Sequence, residues 1–182
     1  MKLHFPKAYA DFVARLRVPG GFVLVAAFAW FSHPDRRSLA LGLPVSLIGL
    51  LVRAWAAGHL AKNQALATGG PYGYTRNPLY LGTLLVAAGL ALASRNAGLA
   101  ILSAAVFVGI YLPVIQLEQQ HLRSIFPDYA AYASRVPALL PRMTHAGQPR
   151  PFQWSLYLKN REYQAAAGFF TGALFLLWKA LR

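Results

Sequence analysis

The chain has 182 residues, of which 57% are hydrophobic and only 13% are charged, whereas an ordinary soluble domain has roughly 45–50% apolar and about 25% charged residues. This composition indicates a membrane protein with a single domain over residues 1–182, and the lack of cysteine excludes disulfides, thiolate metal sites and cysteine nucleophiles. The net charge of +13 lies mainly at the ends of apolar segments, which favours juxtamembrane basic residues over nucleic-acid binding.

Five apolar stretches predict an all-α integral membrane protein with about five transmembrane helices. They cover about residues 18–32, 38–58, 79–94, 97–117 and 163–181. The second, fourth and fifth reach the ~20 residues that a helix needs to cross a hydrocarbon core. The first gains length by extending back through Arg15, and the third gains a turn if Pro78 opens it. A hairpin that does not cross the membrane remains an alternative for the first pair.

The distribution of lysine and arginine predicts the orientation, because cytoplasmic loops carry an excess of both. With a cytoplasmic N-terminus, the inner segments carry Lys2, Lys7, Arg15, Arg17, Lys62, Arg76, Arg123, Arg135, Arg142, Arg150, Lys159 and Arg161, and the outer ones carry Arg36, Arg37, Arg95, Lys179 and Arg182. We therefore expect a cytoplasmic N-terminus and an outer C-terminus, in the plasma membrane if the source is a bacterium. The polar segments 59–78 and 118–162 would then form a cytoplasmic helical region, where an enzyme would meet a soluble cofactor.

Three further features predict local structure. Gly168 and Gly172 form a GxxxG pair, which lets another helix approach closely; we expect packing within the chain, with a dimer seam as the alternative. Pro113 should bend the fourth helix one turn before Glu118. Residues 144–154, THAGQPRPFQW, form the one linker-like segment.

Residues 70–82, GPYGYTRNPLYLG, combine the signals of a helix start with groups that a turn does not need. Asn is favoured at the N-cap and Pro at the first helical position, so Asn77 and Pro78 open the third span. The free N–H groups of a helix start attract anions, Arg76 strengthens that field, and the tyrosine rings suit a cation or an adenine. The segment predicts a site for a small zwitterionic or phosphorylated ligand, with interface anchoring by Arg and Tyr as the alternative.

Glu118 is the second unusual feature, within residues 116–142, QLEQQHLRSIFPDYAAYASRVPALLPR. A carboxylate at the C-terminal end of a helix opposes the macrodipole at a cost of ~0.3–1 kcal/mol, so either a bound partner compensates it or it is solvated at the membrane surface. Glu118 and His121 form an E-x-x-H pair, but a metal site needs three or more ligands, and we expect no metal there. GxSxG, P-loop and GxGxxG signatures are missing from the sequence.

Together the two segments resemble the isoprenylcysteine carboxyl methyltransferase family, which is related to the membrane phospholipid methyltransferases. The pattern of that family has G-x-Y and R-H-P-x-Y-x-G at the start of a span, then E-E-x-x-L, a phenylalanine, Y-x-x-Y and V-P after the next span. Here the two parts read GPYGYTRNPLYLG and EQQHLRSIFPDYAAYASRVP, within residues 60–141. The resemblance implies an integral membrane methyltransferase that uses S-adenosylmethionine on the cytoplasmic side and methylates a lipidic or amphipathic small molecule.

The resemblance also implies a set of cofactor contacts, matched residue by residue: Gln64, Ala65, Leu66, Ala67, Tyr72, Asn77, Pro78, Leu79, Tyr80 and Glu118. It identifies no catalytic residue, although Arg76 is a candidate. Asn77 stands where the family has histidine, Gln119 where it has a second glutamate, and Val114 where prenylcysteine methyltransferases have the arginine that holds the substrate carboxylate. We therefore expect a different acceptor or a different anchor.

Arg53 and Arg123 are the candidates for that anchor. An arginine inside a span is costly enough to suggest a function, with snorkelling to the interface as the alternative for Arg53.

Two other functions stay open at this point. A membrane reductase of sterol type has a related helical cofactor region but binds a dinucleotide, whose two phosphates would need more cationic groups than Arg76 and Lys62 offer. A non-catalytic membrane scaffold would account for the departures at Asn77, Gln119 and Val114. The sequence does not predict the oligomeric state.

Overall fold

The computed structural model describes residues 5–148 and 150–182, and all regular structure in these ranges is helical. The helices are α1 (Lys7–Phe31), α2 (Arg36–Ala57), α3 (Pro78–Ser94), α4 (Ala97–Ile125), α5 (Tyr129–Arg135), α6 (Trp154–Lys159) and α7 (Glu162–Ala180). A short 3₁₀ turn covers Gly70–Gly73. The all-α prediction is confirmed. Lys2, which entered the orientation argument, lies outside the described residues.

Three of these helices, α1, α2 and α4, are long and apolar enough to cross a membrane. Helix α3 is apolar but has only 17 residues. Helix α7 has 19 residues but does not meet the combined criterion of length and apolar composition that α1, α2 and α4 meet. A membrane protein is thus supported, while five crossings stay a prediction. The backward extension of the first stretch through Arg15 is confirmed, since α1 already begins at Lys7.

The helices α1, α2, α3, α4 and α7 alternate in direction. At one end of the bundle Arg95, after α3, pairs with Asp35, before α2, at 2.5 Å. At the same end Lys179 of α7 donates to the Ala29 carbonyl oxygen of α1 at 2.9 Å. The long connections after α2 and after α4 consequently lie together at the opposite end of the bundle.

Small residues bring α2 and α3 into close contact. Gly42, Ser46 and Gly49 of α2 face Gly82 and Gly89 of α3. A Cβ atom on Gly49 would lie 2.6 Å from the Gly82 carbonyl oxygen, so the two backbones leave no room for a side chain. The Ser46 hydroxyl donates to a carbonyl of α3 at 3.0 Å. This contact holds the start of α3 beside the end of α2.

The GxxxG pair of α7, Gly168 and Gly172, makes no such close contact with another helix among the described residues. A Cβ atom added to Gly168 or Gly172 would meet, within 4 Å, no atom of the described residues beyond the neighbouring backbone of α7 itself. The expectation that this pair packs within the chain is therefore wrong. The close approach occurs instead between α2 and α3, where the small residues are spread over several turns and the motif is less obvious in the sequence.

The irregularity expected at Pro113 takes the form of a widened turn. Proline has no N–H to donate to the carbonyl four residues earlier, which here is that of Gly109. The helix widens to a π-helix over Phe107–Tyr111, and the Tyr9 hydroxyl of α1 donates to the Gly109 oxygen at 2.7 Å. The side chain of Gln116 adds two hydrogen bonds, at 2.8 and 2.9 Å, to the backbone just before α1. These bonds fasten α1 along α4.

Candidate active site

A cavity of about 670 Å³ lies at the end of the bundle that holds the long connections. Its wall combines residues from the two sequence segments with residues from the helices around them. Of the residues expected at a site, those in this wall are Arg53, Ala65, Leu66, Ala67, Tyr72, Arg76, Leu79, Tyr80 and Glu118. The fold therefore brings both segments to one place.

Several hydrogen bonds join the two segments, and one of them connects two side chains of the cavity wall, Tyr80 and Glu118. The Tyr80 hydroxyl, in the first turn of α3, donates to Oε2 of Glu118 on α4 at 2.9 Å. Helix α4 continues to Ile125, so Glu118 does not lie in its last turn, and the helix-dipole argument for a bound partner does not apply. The Tyr111 ring meets the Tyr80 ring edge to face, with centroids 6.1 Å apart. Tyr80 is thus held in place against the carboxylate.

Buried tyrosines form the side of the cavity next to α5. The Tyr132 hydroxyl donates to the Tyr72 carbonyl oxygen at 2.8 Å. Burial raises the pKa of Tyr132, and burial together with the negative charge of Glu118 raises the pKa of Tyr72. Both phenols therefore remain protonated at neutral pH, and they are hydrogen-bond donors rather than bases.

Arg76 lines the same cavity and is only partly satisfied. Its Nη1 atom donates to the Tyr129 hydroxyl at 3.2 Å, and the guanidinium lies 6.0 Å from the centre of that ring. Its Nε atom is buried and has no hydrogen-bond partner among the described residues. A buried donor without a partner is costly, so Arg76 is the group in the wall best suited to receive an acidic group of a ligand.

Asn77 and Pro78 support the site from behind. Both side chains are buried and neither lies in the cavity wall. Asn77 occupies the N-cap position but makes no capping bond, because its Nδ2 atom donates to the Ala138 carbonyl oxygen at 2.6 Å. The expectation that its side chain caps α3 is wrong. Gln64 and Arg123 are exposed and also lie outside the wall.

Arg53 makes an ion pair inside the chain. Its Nε atom lies 2.5 Å from Oε1 of Glu162 and its Nη2 atom 3.0 Å from Oε2, while Nη1 donates to the Thr83 hydroxyl at 2.5 Å. Glu162 opens α7, where a carboxylate is favoured by the helix dipole. Snorkelling does not explain Arg53, and Glu162 occupies the guanidinium that we considered as a substrate anchor.

Sequence reasoning missed several residues of the wall, including Arg17, Thr83 and Glu162. Arg17 belongs to α1, and its guanidinium lies near enough to act on the Tyr80 hydroxyl. Arg17 has no local motif around it. The available signal for the pair of Arg53 and Glu162 was a lone arginine within one apolar stretch and a glutamate at the edge of another, which suggests an ion pair.

The segment that we took for a linker covers the loop beneath the cavity. The backbone N–H of Ala146 donates to the Gly73 oxygen at 3.0 Å. The His145 ring occupies the space that a Cβ atom on Gly73 would need. Residues 144–154 thus pack against the 3₁₀ turn, apart from Pro149, which is not described, and the linker interpretation is wrong.

No three His, Cys, Asp or Glu side chains cluster to hold a metal ion within the part of the chain that the structure describes.

The phospholipid methyltransferase family matches residues 39–129, from the start of α2 to the start of α5. The match covers half of the chain and includes the first segment and the start of the second, with both partners of the Tyr80–Glu118 hydrogen bond. The chain therefore belongs to the phospholipid methyltransferase family, which confirms the resemblance that the motifs showed. The fold and the family together define a helical membrane protein of the phospholipid methyltransferase family.

Two curated relatives carry names that concern metal resistance. The cobalt-zinc-cadmium resistance protein CzcN of Cupriavidus metallidurans is 37% identical over 106 residues, which are 57% of this chain and 48% of that protein. The nickel-cobalt-cadmium resistance protein NccN of Alcaligenes xylosoxydans xylosoxydans is 32% identical over 135 residues, which are 70% of this chain and 63% of NccN. The matches thus span less than two thirds of either relative. No solved structure matches the chain.

Proposed function

We propose that this protein transfers a methyl group from S-adenosylmethionine to a lipidic or amphipathic small molecule at the cytoplasmic face of the membrane. The observation that carries the proposal is the Tyr80–Glu118 hydrogen bond of 2.9 Å, which places the two family segments in the wall of one cavity. Family membership supports the reaction type. The cofactor and the acceptor class are our own assignments.

The groups in the cavity wall fit the polar ends of S-adenosylmethionine. Glu118 offers a carboxylate for an ammonium or hydroxyl donor, and Arg76 offers a buried Nε donor that lacks a partner among the described residues. Tyrosine faces suit a sulfonium or an adenine ring. We assign the cofactor to Ala65, Leu66, Ala67, Tyr72, Leu79, Tyr80 and Glu118, with Gln64, Asn77 and Pro78 supporting them from outside the wall.

The chain's contribution to catalysis would be orientation and exclusion of water. S-adenosylmethionine, when bound, supplies a methyl group activated by a sulfonium. Glu118 and Arg76 would fix the two ends of the amino-acid part, and the tyrosines would keep the reacting region dry. Since the phenols of Tyr72 and Tyr132 stay protonated at neutral pH, neither of them is assigned the role of a base.

The acceptor would meet positive charge in this cavity. The Arg53 guanidinium is paired with Glu162, and Arg123 is exposed outside the wall, so neither is the best anchor. Arg17 and Lys62 lie in the wall. We therefore assign the polar group of the acceptor to their neighbourhood, and its apolar part to the lipid side of the helices.

The names of the relatives suggest the setting in which the reaction matters. We propose that methyl transfer by this chain contributes to resistance against metal ions such as cobalt and cadmium, since NccN matches 70% of the chain. Cells that carry the wild-type gene should tolerate higher cobalt than cells that carry Glu118→Gln at equal protein level. Equal tolerance would remove this second assignment and leave the first untouched.

Calorimetric titration of the detergent-solubilised protein tests the main proposal. S-adenosylhomocysteine should bind saturably, whereas a nicotinamide dinucleotide phosphate should not. Binding of the dinucleotide alone would support the reductase alternative. Binding of neither ligand to folded protein would favour a scaffold and end the enzyme assignment.

Glu118→Gln is the sharpest variant for that titration. The change removes the charge but keeps a side chain of nearly the same size, so the affinity for S-adenosylhomocysteine should fall at least about tenfold, or ~1.4 kcal/mol. Trp154→Ala is the control, because Trp154 is 70% exposed and lies outside the cavity wall. Unchanged affinity in a folded Glu118→Gln protein would take Glu118 out of the site.

A further inference from the structure

A second cleft, of about 540 Å³, lies on the other side of the loop that carries Tyr72. Tyr72 faces the large cavity, whereas Gly70 and Tyr74 line this cleft. The side chains that shape it are those of Trp55, His59, Tyr74, His145, Arg150 and Phe152. The loop is thus a wall between two separate spaces.

The aromatic wall of the cleft is built on glycines. Gly70 has a φ of +54°, and a Cβ atom there would lie 2.6 Å from Nε2 of His59, so both the backbone conformation and the space require glycine. The Tyr74 and His145 rings meet with centroids 5.1 Å apart, and the Trp55 and Tyr74 rings 6.2 Å apart. The rings support one another and give the cleft a fixed shape.

The charge of the cleft is positive. Its lining contains Arg150, and no carboxylate belongs to the lining among the described residues. The stem of Arg150 lies across Gly69, where an added Cβ atom would be 2.9 Å from the arginine Cβ atom. His59 is fixed between the carbonyl oxygens of Trp55 and Arg150, at 2.9 and 3.0 Å. Arg150, an exposed residue of the lining, therefore adds a positive charge beside the aromatic wall.

The position of the cleft along α2 indicates its depth. Trp55 lies in the last turn of α2, which is long and apolar enough to cross a membrane. Trp154, which follows Phe152 closely, is 70% exposed. Exposed Trp and Tyr side chains are typical of the interface between hydrocarbon and water. The cleft therefore lies at the level of lipid headgroups.

We infer that this cleft binds the headgroup of an anionic phospholipid, with the phosphate at Arg150 and the glycerol region along the rings of Trp55 and Tyr74. Guanidinium and phosphate match in charge and in hydrogen-bond geometry. This site is distinct from the methyl-transfer cavity, so the inference does not depend on the proposed reaction. A lipid bound here would hold the loop of Tyr72 from its outer side.

Lipid binding to the full-length protein in neutral detergent tests the inference. Short-chain phosphatidylglycerol should bind at least about fivefold more tightly than phosphatidylcholine of the same chain length, measured by native mass spectrometry and by the rise in Tm. Inorganic phosphate at the same concentration should give no comparable rise in Tm. Equal binding of the two lipids, or an equal effect of free phosphate, would overturn the assignment.

Three variants locate the effect. Arg150→Gln should abolish the preference for phosphatidylglycerol, while Arg150→Lys, which keeps the charge, should retain most of it. Arg36→Gln is the matched control, because Arg36 is exposed at the opposite end of α2 and its loss changes the net charge equally. Equal losses in Arg150→Gln and Arg36→Gln would mean general electrostatic attraction and would contradict a site.

If Arg150→Gln does not fold, a substitution in the aromatic wall of the cleft tests the inference instead. Trp55→Leu removes one ring and leaves every charge in place, and it should weaken phosphatidylglycerol binding severalfold. Unchanged binding in folded Trp55→Leu would show that the aromatic wall takes no part and would overturn the inference.

Discussion

The carboxylate of Glu118 and the hydroxyl of Tyr80 lie 38 positions apart in sequence and meet at 2.9 Å. The interaction orients the carboxylate, because one of its oxygens already has a donor and the other is left for a ligand. At the same scale, the buried Nε atom of Arg76 lacks a partner among the described residues. On the proposed function, a bound ligand would supply the partners that both groups lack among the described residues.

Tyr80→Phe isolates the contribution of that hydroxyl. The ring and its packing remain, while the donor to Glu118 is lost, so the affinity for S-adenosylhomocysteine should fall about threefold to tenfold, as expected for one hydrogen bond to a charged group. Calorimetry on the purified variant measures this change. Tyr157→Phe, on α6 and outside the cavity wall, is the control and should bind as the wild type does. Equal affinities for all three proteins would contradict the role of Tyr80.

At the scale of elements, the contact between α2 and α3 depends on the absence of side chains. Gly49→Ala places a Cβ atom 2.6 Å from a carbonyl oxygen of α3. Because the obstacle is backbone, the helices must separate, and we expect a loss of about 2 kcal/mol or more of stability. Thermal unfolding in detergent measures the effect.

Gly168→Ala is the matched control on α7. Within 4 Å the new methyl group meets no atom of the described residues beyond the neighbouring backbone of α7, and alanine is a better helix former than glycine. Its stability should remain within about 0.5 kcal/mol of the wild type. If Gly49→Ala changed the stability as little as Gly168→Ala, the result would contradict the close packing of α2 against α3.

The Arg53–Glu162 pair joins α2 to α7, which lies outside the region matched by the family. The side chains of the pair are 23% and 8% exposed. Glu162→Leu leaves a partly buried guanidinium without its partner and should cost about 3 kcal/mol or more. The double variant Arg53→Leu with Glu162→Leu should be less damaging than Glu162→Leu alone, since no unpaired charge remains.

A double-mutant cycle on thermal unfolding tests this order. Additive losses in the two single variants would show that the pair does not couple α2 to α7. Glu118→Leu serves as a comparison, because it removes a carboxylate from the same cavity without breaking an ion pair between helices.

At the scale of the whole molecule, the alternating direction of five helices predicts which loops lie on each side of the membrane, and this can be measured. The chain contains no cysteine, so a maleimide reagent can label only the single cysteine that a substitution introduces. In intact cells an impermeant maleimide should label His33→Cys, whereas Met143→Cys, 96% exposed, should react only after permeabilisation. The opposite pattern would reverse the orientation, and labelling of both in intact cells would contradict the crossings.

The sequence predicted correctly those features that depend on residues close together in the chain. The bounds of α2, α3 and α7 almost coincide with the apolar stretches, because hydropathy and the Pro78 start signal are properties of neighbouring residues. The family motifs were equally readable, since they are short and contiguous. Asn77 was misjudged, because the Ala138 carbonyl that takes its side chain lies 61 positions away.

By itself the sequence determined a helical membrane protein of the phospholipid methyltransferase family, because apolar segments of sufficient length and two contiguous motifs need no knowledge of distant contacts. Only the tertiary structure decided that Arg53 is paired with Glu162 at a separation of 109 residues, that Arg17 reaches the cavity, and that the rings of His59 and His145 fill the space above Gly70 and Gly73. The physical reason is the same in each case. A partner that is remote in the chain leaves no periodic or local mark, and its contribution depends on a distance that folding alone sets.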